Sequence, residues 1–153
     1  MSAIPAMQVP LLDLKPQYQP LAAEIQAAIE KVCASQHFIL GPGVKELEAA
    51  VASYSQCRFG VGVSSGTDAL LLALMALEIG PGDEVITSPF TFFATAEAVS
   101  YTGATPVFAD VEAATFNLDP ASAQKSLSRK TKAIIAVHLF GQCAALDSLK
   151  SLC

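Results

Sequence analysis

Charge is scarce in this chain of 153 residues: Asp, Glu, Lys and Arg make up 15% of it, and nine basic residues against fourteen acidic ones leave a net charge of −5. No basic stripe exists to neutralise a run of phosphates, which argues against a nucleic-acid partner. The one basic cluster, Arg129, Lys130 and Lys132, reads as a solvated turn. Metal-ligand spacing is missing too. Cys33, Cys57, Cys143 and Cys153 are scattered and unpaired in pattern, as suits small hydrophobic residues in a reducing compartment. The longest apolar run, Ala69 to Leu77, falls far short of the ~20 residues that span a bilayer. No basic segment precedes an apolar stretch at the N-terminus, so no signal peptide is expected. These absences lead to the expectation of a cytoplasmic protein with neither nucleic-acid nor membrane partners. Repeats and low-complexity linkers are lacking as well, and the length accommodates one domain.

What is present is apolar: 52% of the residues are hydrophobic, a globular composition. The opening, Val9 to Gln19, reads as extended and is punctuated by prolines. Apolar residues at helical spacing (Leu21, Ile25, Ala28, Ile29, Val32) predict an amphipathic helix over 21–32, and a second follows over 44–54. The pattern then alternates. Short strands are expected at Phe59–Val63, Glu84–Thr87, Pro106–Ala109 and Ala133–Leu139. Helices are expected at 67–79 (apolar almost all round, hence buried), 91–101, from Pro120 to about Ser128, and from Ala144 to Leu152. Non-alternating strands joined by helices predict a doubly wound α/β fold with a parallel sheet covered on both faces. The last helix reaches Cys153 without a cap or a glycine, which reads as a cut rather than an ending.

The most informative stretch is Val63-Ser64-Ser65-Gly66-Thr67-Asp68-Ala69-Leu70. A strand pattern ends, small residues turn the chain, and a helix begins at once. The first N–H groups of a helix have no partners of their own, and with the positive end of the helix dipole they suit a phosphate. Gly66 admits close approach and the Thr67 hydroxyl adds a donor or a cap. Asp68 favours the helix start but would repel a dianion if aimed at it. No Gly-Lys-Ser/Thr follows, so this is not a Walker loop, and the Gly-x-Gly-x-x-Gly spacing of a dinucleotide site is absent. A well-capped structural helix explains the same residues.

Other blocks join this one in order: Val9 to Tyr18, Phe38-Ile39-Leu40-Gly41-Pro42, Gly80-Pro81-Gly82-Asp83-Glu84-Val85-Ile86, Pro89 to Ala96, Thr115 to Pro120, and Thr131 to Gln142. Together they resemble the DegT/DnrJ/EryC1/StrS family of sugar aminotransferases. Within it, Gly41-Pro42 and Gly141-Gln142-Cys143-Ala144 look similar to enzymes acting on UDP-linked 3-keto uronic acid sugars. The resemblance implies the fold-type I architecture dependent on pyridoxal 5'-phosphate. Residues 1–153 would then be the N-terminal part of one large domain, with 1–55 an arm with helices and 56–153 the strand and helix core. It further implies that Gly66, Thr67 and Asp68 hold the cofactor phosphate and that Phe92 stacks on its ring, with Phe93 facing the core. Tyr18 and the Phe38–Gly43 loop would come near the nucleotide sugar or the partner subunit of a homodimer. Implied partners are a nucleotide-linked keto sugar and an amino donor, glutamate, in amino-sugar or polysaccharide biosynthesis.

The lysine that carries the cofactor and the aspartate that pairs with its pyridine nitrogen match no position in this chain. No catalytic residue is therefore assigned, and the chain itself is expected to be inactive, with cofactor binding weak or absent. His138 and Gln142 receive no role. Alternatives are a self-standing phosphate- or nucleotide-binding α/β module, a non-catalytic remnant, or a dehydratase relative in which the lysine is replaced.

Overall fold

The computed structural model describes residues 10–153, so Val9 lies outside the described residues. The chain forms two compact units, one up to Gly62 and one from Val63 to Cys153. In the first, the opening is less extended than its prolines suggest. Lys15–Tyr18 form a short helix, α1, followed by a 3-10 turn at Gln19–Leu21. Pro16 and Pro20 each fall in the first turn, where a missing N–H costs nothing, and Asp13 Oδ1 accepts the Lys15 N–H at 3.0 Å. Helix α2 runs over Ala22–Ser35 and ends on Gln36, whose left-handed backbone returns its N–H to the Val32 and Cys33 carbonyls. Its apolar stripe, Leu21, Ile25, Ile29 and Val32, is exposed. Helix α3, Pro42–Tyr54, starts with Pro42 in its first turn after the extended Gly41.

The strand expected at Phe59–Val63 does not form: among the described residues this segment pairs with no strand. Its polar contact goes to a helix instead, the Gly62 N–H donating to Glu48 Oε1 of α3 at 2.7 Å. Gly60 makes that course possible, since a Cβ there would stand 2.4 Å from the Glu48 carbonyl oxygen.

The second unit is a three-layer α/β arrangement. Strand β1 (Glu84–Thr87) lies between β2 (Thr105–Phe108) and β3 (Thr131–Ile134), and both pairings are parallel. Thr87 aligns with Phe108 on one side, and Ile86 with Ile134 on the other. Successive β1 side chains point to opposite faces, so each face has its own core. Val85 packs with Leu74, Ile79, Ala98, Val99 and Ala104, joining helices α4 (Gly66–Ala76) and α5 (Ala94–Tyr101) to the sheet. Ile86 packs with Ala109, Leu118, Ala123, Ala144 and Leu149, which brings in α6 (Pro120–Lys125) and α7 (Leu146–Lys150). The parallel α/β expectation is met.

Several boundaries differ from the sequence reading. The strand expected over 133–139 stops at Ile134 because its neighbour stops. Beyond Thr87 comes Pro89, which has no N–H to offer a ladder, and only the Ile135 N–H still reaches Ile86 O, at 2.9 Å. Helix α5 begins at Ala94 rather than Thr91, because the Ser88 hydroxyl takes the Phe90 N–H and holds 88–93 as a loop. Helix α6 is shorter than expected: the Ser128 hydroxyl is tied to the Glu84 carboxylate at 2.5 Å and turns the chain into β3. Helix α7 likewise spans less than the expected 144–152. Helix α4, expected to be buried all round, is buried only at Leu74; Leu72 and Met75 face outwards because within this unit the helix packs on α5 by one face.

Candidate functional site

The residues expected to hold the cofactor, Gly66, Thr67, Asp68 and Phe92, all lie in the second unit, whereas Tyr18 and the Phe38–Gly43 loop belong to the first. The turn into α4 is built by its serines. Ser65 is extended (φ −159°, ψ 167°) and caps the helix, its Oγ accepting the Asp68 N–H at 3.1 Å. The same hydroxyl donates to Asp68 Oδ2 at 3.1 Å, and the Ser64 hydroxyl donates to that oxygen too. These two hydroxyls, Ser64 foremost, hold the Asp68 carboxyl below the usual carboxylate range. Asp68 is thus satisfied within the turn, through both its N–H and its carboxylate. Gly66 and Thr67 are different: neither N–H has a partner among the described residues. A Cβ at Gly66 would meet nothing within 4 Å, so the approach to these donors is open. Two free amides at the positive end of an eleven-residue helix suit a dianionic phosphate.

Phe92 lies in the loop between β1 and α5, and 78% of its surface is exposed. Phe93, expected in the core, is also exposed, at 73%. It occupies the N-cap position of α5, and the core beneath is already filled by the small residues Ala94 and Ala98 with Val99. Helix α4, which carries Gly66 and Thr67, packs through Leu74 and Val99 with α5, the helix that follows the Phe92 loop.

A further feature lies past the C-terminal ends of the strands, where ligand sites of α/β sheets gather. Pro89, Phe90 and Thr91 on one side, with Leu139 and Phe140 on the other, line a cleft of about 240 Å³. Asn117, 3% exposed, is bonded to the backbone of the segment that forms the Leu139–Phe140 wall. Its Oδ1 accepts the Leu139 N–H at 2.9 Å and its Nδ2 donates to the Gln142 carbonyl at 3.1 Å. His138 is exposed, and its Nδ1 accepts the Ala144 N–H at 3.1 Å, which places the proton of the neutral ring on Nε2. Gln142 contributes its backbone here. Sequence reasoning assigned neither Asn117 nor Phe140; the one available signal was a lone amide between the apolar Phe116 and Leu118. Among the described residues no group of three or more His, Cys, Asp or Glu is placed to hold a metal ion, and no helix is long and apolar enough to cross a membrane.

Comparison with known proteins places this geometry in context. The family model described as the DegT/DnrJ/EryC1/StrS aminotransferase family matches residues 19–153. A UDP-N-acetyl-3-dehydro-alpha-D-glucosamine 3-aminotransferase of Acidithiobacillus ferrooxidans is 50% identical over 144 residues, 94% of this chain and 39% of the relative. A UDP-2-acetamido-2-deoxy-3-oxo-D-glucuronate aminotransferase of Pseudomonas aeruginosa is 43% identical over 144 residues, 94% of this chain and 40% of the relative. The solved structure of NtdA from Bacillus subtilis with bound cofactor PMP superimposes with a TM-score of 0.90 at 31% identity, over 95% of this chain and 34% of that one. The chain spans about two fifths of the length of the curated relatives it matches. Agreement in sequence over nearly all of its length, together with the shared fold, means that the chain belongs to the DegT/DnrJ/EryC1/StrS aminotransferase family.

Proposed function

We propose that this chain supplies the phosphate- and ring-binding part of a pyridoxal-phosphate-dependent aminotransferase. The whole protein would move an amino group from glutamate to a UDP-linked 3-keto sugar, uronic acid forms included, in the cytoplasm and as a homodimer. The observation that carries the reading is the pair of unpartnered amides at Gly66 and Thr67, opening on space that no side chain fills. In this reading residues 1–153 are the N-terminal part of one large domain. The Gly66 and Thr67 amides, with the Thr67 hydroxyl, hold the cofactor phosphate. Asp68 serves the same site indirectly: its N–H and carboxylate are engaged by Ser64 and Ser65, which keeps the turn in shape and its charge turned to the serines. Phe92, exposed on its loop, offers a flat face to the pyridine ring. When bound, the cofactor supplies an electron sink for proton removal at the carbon bearing nitrogen. The substrate class rests on what the names of the two relatives share, a UDP carrier and a keto group at C3 of the sugar.

A chimera tests the proposal. Residues 1–153 replace the matching segment of the Acidithiobacillus ferrooxidans enzyme, and turnover is followed with glutamate and the UDP-linked 3-keto sugar. Turnover that falls on Phe92→Ala is the expected result. A folded chimera that neither binds pyridoxal phosphate nor turns over would overturn the reading.

A further inference from the structure

Phe140 is the least economical residue in the second unit. Its backbone is left-handed (φ 54°), a region that bulky side chains rarely occupy, and its ring is 83% exposed. Neither helix formation nor core packing accounts for this placement, and strained backbone that the surroundings enforce is found where ligands are gripped. The enforcement comes from Asn117. Its side chain binds the Leu139 N–H and the Gln142 carbonyl, so one buried amide ties both sides of Phe140. Asn117 is itself held, its N–H donating to Thr115 Oγ1 at 3.2 Å and its carbonyl accepting the Glu112 N–H at 2.9 Å.

The opposite wall is braced from the same place. Phe116, the residue before Asn117, is also left-handed (φ 59°), and its ring lies against that of Phe90 with centroids 5.7 Å apart. One short segment therefore supports Phe90 on one side of the cleft and Phe140 on the other. At about 240 Å³ the cleft is smaller than the ~300 Å³ at which pockets for drug-sized molecules begin, so it suits one ring rather than a whole nucleotide. The Pro89–Thr91 wall runs directly into Phe92. The part of a substrate that comes beside the cofactor ring is the sugar being aminated.

We propose that Asn117 is a positioning residue for sugar recognition: by pinning the turn on both sides of Phe140, it holds that ring as a wall for the apolar face of the substrate's hexose. This rests on the aminotransferase reading above. Phe140 makes the contact, and Asn117 acts only through it.

The test uses the 153-residue chain and two probes, UDP-N-acetylglucosamine and UDP, titrated by NMR against wild type, Phe140→Ala, Asn117→Ala and the double variant. The wild-type chain should bind the sugar nucleotide more tightly than UDP. Either single substitution should remove about threefold to tenfold of that preference, the size of one ring-face contact. The double variant should lose no more than Phe140→Ala alone, because residues acting through one another are not additive. A purely structural Asn117 would instead weaken both probes equally, or add its loss to that of Phe140→Ala, and either result overturns the proposal. So does a wild-type chain that does not distinguish the probes. If Asn117→Ala fails to fold, Asn117→Asp takes its place, since it keeps the acceptor for Leu139 and sets an acceptor oxygen against the Gln142 carbonyl, which releases that side of the turn. Pyridoxal phosphate is titrated separately, with the Gly66 and Thr67 amide shifts as the readout. Their response with no sugar preference sinks the Asn117 assignment alone, whereas their silence sinks the cofactor reading on which it stands.

Discussion

Gly66→Pro separates what the start of α4 does for the fold from what it does for a ligand. Proline at the first helical position lacks an N–H that would have no helical partner anyway, and this protein already begins α3 and α6 that way, with Pro42 and Pro120. The residue before a proline must be extended, and Ser65 is (φ −159°, ψ 167°). A Cβ at position 66 meets nothing within 4 Å. The fold should therefore accept the change and gain about 0.4–1 kcal/mol from the stiffer unfolded chain. For a chain of this size that is a rise in Tm of roughly 1–4 °C. Ligand binding should move the other way. One of the two unpartnered amides is deleted, and a hydrogen bond to a charged acceptor contributes about 1.5–3 kcal/mol. Pyridoxal phosphate should bind roughly tenfold to a hundredfold more weakly, while pyridoxal, which has no phosphate, should be unaffected. Thermal melts by circular dichroism and calorimetric titration with both compounds read the two arms. An intact melt with unchanged affinity for pyridoxal phosphate would refute the assignment of these amides. A collapsed melt would refute the backbone argument.

Phe92→Ala should leave Tm within about 2 °C, since the ring is mostly exposed and surface changes of this kind stay small, yet weaken pyridoxal phosphate about twofold to tenfold; equal binding by the two proteins would exclude a stacking role. The Asp68 carboxyl, held low by Ser64 and Ser65, contributes stability that is present above its unfolded-state pKa and lost as pH falls through the lower folded one. Carbon-detected titration should place its midpoint below that of a free aspartate, and Ser64→Ala should move it back up; a midpoint that ignores the substitution would discredit the hydroxyl contact. Leu118→Ala, at a site 1% exposed in the core beneath β1, should cost about 2–5 kcal/mol by denaturant unfolding, and a loss under 1 kcal/mol would mean that this face of the sheet is not closely packed.

The elements with strong local signals were legible in the sequence. Strand Glu84–Thr87 was read to the residue, and α3 and α4 to within a few, because apolar periodicity, proline at helix starts and Ser65 before Gly66 are local properties. So was the family, since its blocks recur in order along the chain. Elements that depend on a neighbour were less legible. Phe59–Val63 has the residues of a strand, but a strand is defined by pairing, and here its polar contact is the Glu48 side chain. The end of β3 was set by Pro89 in the loop that follows the neighbouring strand, and Phe93 was left outside because smaller residues had already filled the space beneath it.

The same division runs through the site. A small-residue turn running straight into a helix determined that free amides would occur at Gly66 and Thr67, because the first turn of any helix leaves them. Only the folded chain decided that Asp68 would be satisfied by Ser64 and Ser65, leaving those two amides as the open pair. Only it could bring Asn117 to Leu139 and Gln142, more than twenty residues away, and set Phe140 beside Phe90. Caps and helix starts are made by residues within four positions of one another, so they are written along the chain. Clefts are made by segments that meet only after the sheet has formed.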